Sequence, residues 1–451
     1  MNPFDSSDHS LPILPAPGPV SGTARAPGSK SITNRALVLA ALSAGTTILS
    51  GALSADDTHR MTDCLRALGF AVEENEAEES ITVVGQAGRI PAQRADLFVG
   101  NSGTTARFVT PLVALGRGEF VVDGVPRMRE RPMGDLIRAL TQLGGDVESL
   151  GGNGCPPLRV RANGLRGGTC TVRSDVSSQF LSGLLLAAPC ADGPETIVRV
   201  DGPLLSAPYV TLTLRMMETF GARVNVSPDG RTFVIPGRQT YRAPSSGVYP
   251  VEPDASAASY FFAAAALTGG RVRVPGIGKN ALQGDAAFVN VLKAMGCRVT
   301  RGGDDFIEVV GTPNLRGVTW DMNAISDTVM TLAAVAPFAD GPTVIENVAH
   351  IRHKETDRIA ALTAELTRLG VRVAERADGL TIFPAEKIIP ATVHTYDDHR
   401  MAMAFALVGL RAPGIRIADP ACVAKTFPDY FARLFALVRG GGAGSARPAG
   451  E

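Results

Sequence analysis

Leu136-Ile137-Arg138-Ala139-Leu140-Thr141-Gln142-Leu143-Gly144-Gly145-Asp146-Val147 decides the fold. Its apolar residues recur at helical spacing, a glycine stops them, and an extended stretch begins. A glycine in that place suits the left-handed cap that ends many helices. The same Gly-x-x-Val closure follows Gly69, Gly221, Gly296 and Gly370, so successive glycines lie 75, 77, 75 and 74 residues apart. A period that regular marks an internal repeat, and the repeat sets the architecture.

Each unit predicts two helices. One is amphipathic and ends at the glycine, as at 61–68, 136–143, 289–295 and 359–369. Extended returns follow at 81–84, 233–235, 307–310 and 380–383, rich in β-branched and aromatic residues. The other helix is apolar nearly all round, at 32–42, 104–115, 179–188, 256–267, 328–338 and 399–410. A helix without a polar face is buried. None of the six reaches the ~18–20 apolar residues of a membrane span, so they read as core helices. Six buried helices against five closures leave one unit incomplete. Its last helix is expected at 429–438, and its missing strands in the segment before Ser29. The expectation is an α/β (α+β) protein of two domains with three units each. Residues 1–28 and 252–451 form one discontinuous domain and 29–251 the inserted one, with Pro/Gly punctuation at both crossings.

Composition narrows the function. The chain has 451 residues, 45% of them hydrophobic, and a formal net charge of zero. That argues against nucleic acid as the main partner. Cys64, Cys155, Cys170, Cys190, Cys297 and Cys422 are scattered without a C-x-x-C pair, so neither a zinc site nor a disulfide framework is expected. They read as reduced thiols of a cytoplasmic protein. The first 28 residues show no signal-peptide pattern, and 440–451 reads as a disordered tail. Cores this large make a monomer the default.

Polar clusters open five of the buried helices: Gly28-Ser29-Lys30-Ser31-Ile32-Thr33-Asn34-Arg35, Asn101-Ser102-Gly103-Thr104-Thr105-Ala106-Arg107, Ser177-Ser178-Gln179, Ser326-Asp327 and Tyr396-Asp397-Asp398-His399-Arg400. Helix N-termini present free N–H groups and attract anions. Ser177, Thr104 and Asp398 read equally well as plain helix caps. Capping does not explain Lys30, Arg35, Arg107 and Arg400 beside apolar helices, where charges stay only when paired or used. Further basic groups are Arg127, Arg129 and Arg131 in 126–132, the run Arg352 to Arg358, and Lys425. Each of these also fits a solvated face with local ion pairs. Together they suit phosphate and carboxylate groups, with Asp327, Glu355 and His399 as candidate acids and bases. The string Gly-Ser-Lys-Ser is not a P-loop, because Ser29 stands where glycine must precede the lysine.

In this order the clusters closely resemble the 5-enolpyruvylshikimate-3-phosphate synthase family of enolpyruvyl transferases. The matching strings are PGSKSITNRA (27–36), NSGTTAR (101–107), PRMRERP (126–132), VSSQFL (176–181), SAPY (206–209), EPDASAASYF (252–261), KETDRI (354–359), DDHRMAM (397–403) and AKTFPDYF (424–431). The resemblance implies two inside-out α/β barrels, each of three βαβαββ-like repeats, with the active site in the interdomain cleft. It implies transfer of the carboxyvinyl group of phosphoenolpyruvate to the 5-hydroxyl of shikimate 3-phosphate, on the route to chorismate and the aromatic amino acids, without metal or organic cofactor. By motif position Asp327 is the base near the 5-hydroxyl and Glu355 the proton donor to carbon, though the two transfers could share groups. Lys30 would contact both substrates. Ser31, Arg35, Ser177, Ser178, Gln179, Ser206, Tyr209, Asp327 and Lys354 would hold shikimate 3-phosphate. Gly103, Arg131, Gln179, Arg358, Arg400 and Lys425 would hold phosphoenolpyruvate, with His399 near the reacting carbon.

Some positions depart from the family pattern. Ser102 and Phe108 replace its usual Ala and Pro, and His350 stands where many members carry Asn. Gly103 is retained, which implies room for the inhibitor glyphosate. Three rivals remain. The sister enzyme acting on UDP-N-acetylglucosamine would need a reactive loop cysteine, for which Cys155 lacks the basic context. An RNA-end-processing enzyme would need a basic surface. A non-catalytic phosphometabolite-binding protein would have lost the titratable groups.

Overall fold

The computed structural model describes residues 10–174, 177–303 and 306–440. Apart from Gly440, which ends the last helix, the expected tail lies outside them. The chain divides into two compact units, Met1–Ala26 with Pro253–Glu451 (the split unit) and Pro27–Glu252 (the inserted unit).

The inserted unit holds α1 (Lys30–Leu42), α2 (Asp56–Ala67), α3 (Gly103–Ala114), α4 (Gly134–Gln142), α5 (Ser178–Ala187) and α6 (Ala207–Thr219). The split unit holds α7 (Ala255–Thr268), α8 (Phe288–Ala294), α9 (Val329–Val335), α10 (Arg358–Arg368), α11 (His399–Gly409) and α12 (Tyr430–Gly440). The first helix of each repeat is the buried one. Every residue of α3 is inaccessible, and so is nearly all of α7. The second is amphipathic: α4 buries Leu136, Ala139 and Leu140, one helical stripe. Gly144 follows it at φ +87°, a conformation that costs other residues the clash of a Cβ.

One repeat shows the plan. Strand Arg94–Phe98 pairs in parallel with Arg117–Asp123 across α3, and Leu158–Asn163 returns antiparallel after α4 with Asp146–Ser149 at its edge. The order is βαβαββ. Alternation places Phe120, Val122, Leu158 and Val160 on the buried face. Gly168–Arg173 to Thr232–Pro236, and Thr319–Asp321 to Gly379–Ile382, repeat it.

The other three repeats borrow strands from distant sequence. Ser43–Ser50 is joined in parallel by Tyr241–Arg242 and Val248–Pro250. Ser21–Thr23 runs parallel to Arg271–Pro275, and Leu11–Ile13 runs antiparallel to Ile415–Ile417. The segment before Ser29 thus supplies strands to two sheets of the split unit. The ends of the inserted unit meet where the Ser29 amide donates to the Glu252 carbonyl at 2.8 Å.

Two helices are shorter than their sequence suggests. The run 328–338 is helical only as α9, flanked by 3₁₀ turns at Asn323–Thr328 and Ala336–Phe338. Pro337 has no amide hydrogen to continue the ladder, and Pro189 ends α5 in the same way.

Candidate active site

In the inserted unit, α1, α3 and α5 bring their N-termini to the polar residues noted above. Ser29, Ser102 and Ser177 are the caps, accepting from the amides of Ile32, Thr105 and Gln179. Thr104 is not a cap; its hydroxyl accepts from Gln179 Nε2 at 2.9 Å. Gln179 Oε1 in turn accepts from Arg107 Nη1 at 2.7 Å, and the Arg107 guanidinium lies 5.1 Å from the Phe180 ring. Lys30 Nζ is 3.1 Å from Asp57 Oδ2.

Arg35 is buried and makes its printed contacts to neutral groups. It donates to the Thr213 hydroxyl at 2.8 Å, the Ser31 carbonyl at 2.9 Å, the Tyr209 carbonyl at 3.3 Å and the Ser182 hydroxyl at 3.4 Å. The Phe108 ring lies 5.1 Å from its guanidinium carbon. Burial lowers its pKa to about 10, so at neutral pH it still holds a cation in a poorly solvated place, which favours an incoming anion. Ser206, at the start of α6, adopts the left-handed conformation (φ +51°) and accepts the Tyr209 amide on its carbonyl.

Arg131 and Gly103 are in contact. Arg131 is 4% exposed and donates to the Asn101 carbonyl at 3.0 Å. A methyl on Gly103 would stand 2.4 Å from Arg131 Nη2. Its neighbours in 126–132 behave as a solvated face: Arg127 pairs with Glu130 and Arg129 with Asp123, all partly exposed.

The split unit gathers a denser network. Arg358, the first residue of α10, is 1% exposed. It reaches Asp398 at 2.8 Å, Glu355 at 2.9 Å and Asp327 at 3.4 Å. Burial alone would weaken its hold on the proton; Asp398, Glu355 and Asp327 more than offset that and fix the charge. Asp327 also meets Arg400 at 2.7 Å and Lys354 at 3.6 Å, and Lys425 lies 3.6 Å from Glu355. Asp398 does two jobs, because it also caps α11 by accepting the Arg400 amide at 2.9 Å. His399 is fully buried with Nδ1 3.6 Å from Asp398 Oδ1. His350 is buried too, and its pKa falls to about 3 through burial first and the Lys354 charge second.

Asp327, Lys354, Glu355, Arg358, Arg400 and Lys425 therefore form one group, to which His399 is attached through Asp398. Sequence reasoning treated Asp398 as a cap and passed over Asp57 and Asp285. Asp57 opens α2 and Asp285 sits in a 3₁₀ turn at Gly284–Ala287; neither lies in a periodic or motif-like string. Among the described residues no three His, Cys, Asp or Glu side chains are grouped to hold a metal ion, and no helix is long and apolar enough to cross a membrane. Cys155 is buried, with burial and then Glu130 pushing its pKa up, which disfavours a thiolate nucleophile.

Repeated βαβαββ units carrying buried cations and isolated carboxylates at helix N-termini define an enzyme for small anionic substrates. Residues 14–434 match the family model of EPSP synthase (3-phosphoshikimate 1-carboxyvinyltransferase). The chain is 52% identical over 420 residues to the 3-phosphoshikimate 1-carboxyvinyltransferase of Nostoc punctiforme, covering 93% of this chain and 97% of that one. It is 49% identical to the Serratia proteamaculans enzyme of the same name, covering 92% and 96%. The EPSP synthase structure from Acinetobacter baumannii superposes with a TM-score of 0.79 at 26% identity, over 95% of this chain and 98% of that one. The chain belongs to the EPSP synthase family.

Proposed function

We propose that the protein transfers the enolpyruvyl group of phosphoenolpyruvate to the 5-hydroxyl of shikimate 3-phosphate and releases phosphate. The observation that carries this reading is the Asp327–Arg358–Glu355 arrangement: two carboxylates on one buried guanidinium, ringed by Lys354, Arg400 and Lys425. Addition of an alcohol across an enol double bond needs one proton removed from oxygen and one delivered to carbon. Elimination of phosphate then reverses the carbon protonation. Asp327 is assigned the hydroxyl proton and Glu355 the carbon proton, and the common guanidinium holds both groups in place.

Lys30, Ser31, Arg35, Ser177, Ser178, Gln179, Ser206 and Tyr209 are assigned to shikimate 3-phosphate, together with Asp327 and Lys354. Arg35 suits its phosphate, being a buried cation with neutral neighbours. Lys30, Gly103, Arg131, Gln179, Arg358, Arg400 and Lys425 are assigned to phosphoenolpyruvate. His399 supports the chemistry through Asp398. The protein acts as a monomer in the cytoplasm.

Phosphate release measured with the two substrates together and singly tests the reading. Release only with both, lost in Asp327→Ala and in Glu355→Ala, is the expected result. Release with UDP-N-acetylglucosamine in place of shikimate 3-phosphate would overturn it.

A further inference from the structure

Asp285 is a buried carboxylate in the split unit that the mechanism above does not use. It is 3% exposed and lies in the 3₁₀ turn Gly284–Ala287. That turn packs against α7 and against the turn Asn323–Thr328, which carries Asp327. Its place is built from several sides. The Ser256 hydroxyl donates to Asp285 Oδ2. Two residues earlier, Gln283 accepts the Ala255 amide at 3.0 Å and donates to the Pro253 carbonyl at 2.7 Å. The turn is thereby tied to the first residues of α7 and cannot slide without breaking three hydrogen bonds.

The charges facing Asp285 are few. Asp327 from the neighbouring turn and Asp254 from the cap of α7 are negative, and Arg400 from α11 is positive. The helix α8 that follows contributes only an exposed lysine, Lys293. Arg301 on the strand Arg298–Gly302 donates to the Ala286 carbonyl at 3.3 Å. Burial first, and the Asp327 charge second, push the Asp285 carboxyl up to about 7.

The charge balance of the group gives this residue a role. Arg358, Arg400, Lys354 and Lys425 are four cations, and Asp327, Glu355 and Asp398 are three carboxylates. The group is net positive while Asp285 is protonated, and balanced once Asp285 ionises. We propose that Asp285 is a positioning residue whose charge state sets how strongly Asp327 and Arg400 favour an anionic substrate. Neutral Asp285 leaves Arg400 to Asp327 and to the anion. Ionised Asp285 competes for the same guanidinium and makes Asp327 harder to keep ionised. The inference rests on the assignment of Asp327 and Arg400 under the proposed function.

Two measurements on the full-length protein test it. The first compares kcat and KM for phosphoenolpyruvate in wild type and Asp285→Asn between pH 6 and 8. The wild-type KM is expected to rise by about tenfold more over that range than the variant's, a loss of about one charge interaction. Thermal unfolding of the variant is followed alongside, and Ser256→Ala provides a second, milder change in the same direction of pH. Loss of the Ser256 donor removes a bond to the ionised form, so its KM rise should begin at higher pH. A folded Asp285→Asn protein with the wild-type pH dependence overturns the proposal.

The second measurement is the carboxyl ¹³C titration of Asp285, assigned by its loss in Asp285→Asn. A midpoint near 7 that moves down in Asp327→Asn supports the linkage. A midpoint in the ordinary aspartate range, or one indifferent to Asp327→Asn, overturns it. This readout needs no turnover. Absence of phosphate release from the substrate pair would therefore remove the functional assignment while leaving the Asp285–Asp327 linkage separately decided.

Discussion

Gly103 shows how one hydrogen atom holds a cation in place. A Cβ there would meet Arg131 at Nη2, Cζ and Nη1 within 2.4 to 3.0 Å, while Arg131 Nη1 is already committed to the Asn101 carbonyl. The side chain must swing, and its charge goes with it. Gly103→Ala is expected to leave the folding midpoint nearly unchanged, raise KM for phosphoenolpyruvate roughly tenfold, and weaken glyphosate inhibition by more than that. Steady-state kinetics with the inhibitor decide; unchanged inhibition would count against contact at this position. His350 yields a different kind of prediction. Its folded pKa, about 3, lies below the value of 6.5 of an exposed histidine. The unfolded chain therefore takes up a proton that the folded one refuses. The neutral ring's contribution is complete above pH 6.5 and is lost progressively as pH falls towards 3, at most about 4–5 kcal/mol. His350→Asn is expected to lose less stability than wild type between pH 7 and pH 4, measured as urea midpoints.

Among the elements, α3 bears on the departure of Ser102 from the usual alanine. Its hydroxyl accepts the Thr105 amide and lies 2.8 Å from the Thr105 hydroxyl, with no exposure to water. Ser102→Ala should cost about 1 kcal/mol of stability and Ser102→Gly less, with kcat changed less than twofold, as read from denaturant unfolding and kinetics. Helices and returns of this kind were legible because their signals are local. The five Gly-x-x-Val closures mark C-caps, and apolar runs mark the buried helices. The ends of α5 and α9 were misjudged because Pro189 and Pro337 sit inside apolar runs whose composition does not change. At the site, Lys30, Arg35, Asp327, Glu355 and Arg400 stood out as charges in apolar surroundings. Their partners did not. Asp57, Asp285 and Asp398 carry common residue types at ordinary turn or cap positions, and only tertiary packing brings Asp57 to Lys30 or Asp285 towards Asp327. Phe108 was noticed as a departure, yet its place against the Arg35 guanidinium is a three-dimensional fact.

For the whole molecule, the two units differ in how they are closed. The inserted unit is one continuous stretch whose ends are hydrogen-bonded to each other through Ser29 and Glu252, and its borrowed strands come from within itself. Residues 27–252 expressed alone should fold cooperatively, with a single sharp urea transition. The split unit without residues 10–26 lacks the strands Leu11–Ile13 and Ser21–Thr23 and should show a lower midpoint or none, checked by circular dichroism on a chain beginning at Pro27.

The antiparallel pairing of Leu11–Ile13 with Ile415–Ile417 also fixes a timetable for the newborn chain. Ser10, which receives the Arg416 side chain, leaves the ribosome 406 residues before its partner exists. At about 5–20 residues per second that is a wait of roughly 20–80 s. The inserted unit has time to finish during synthesis, whereas the first strands of the protein spend the whole of translation as an open sheet edge. Holding that edge apart from other chains until residue 417 has emerged is a task for the cell, set by the order in which the sequence is written.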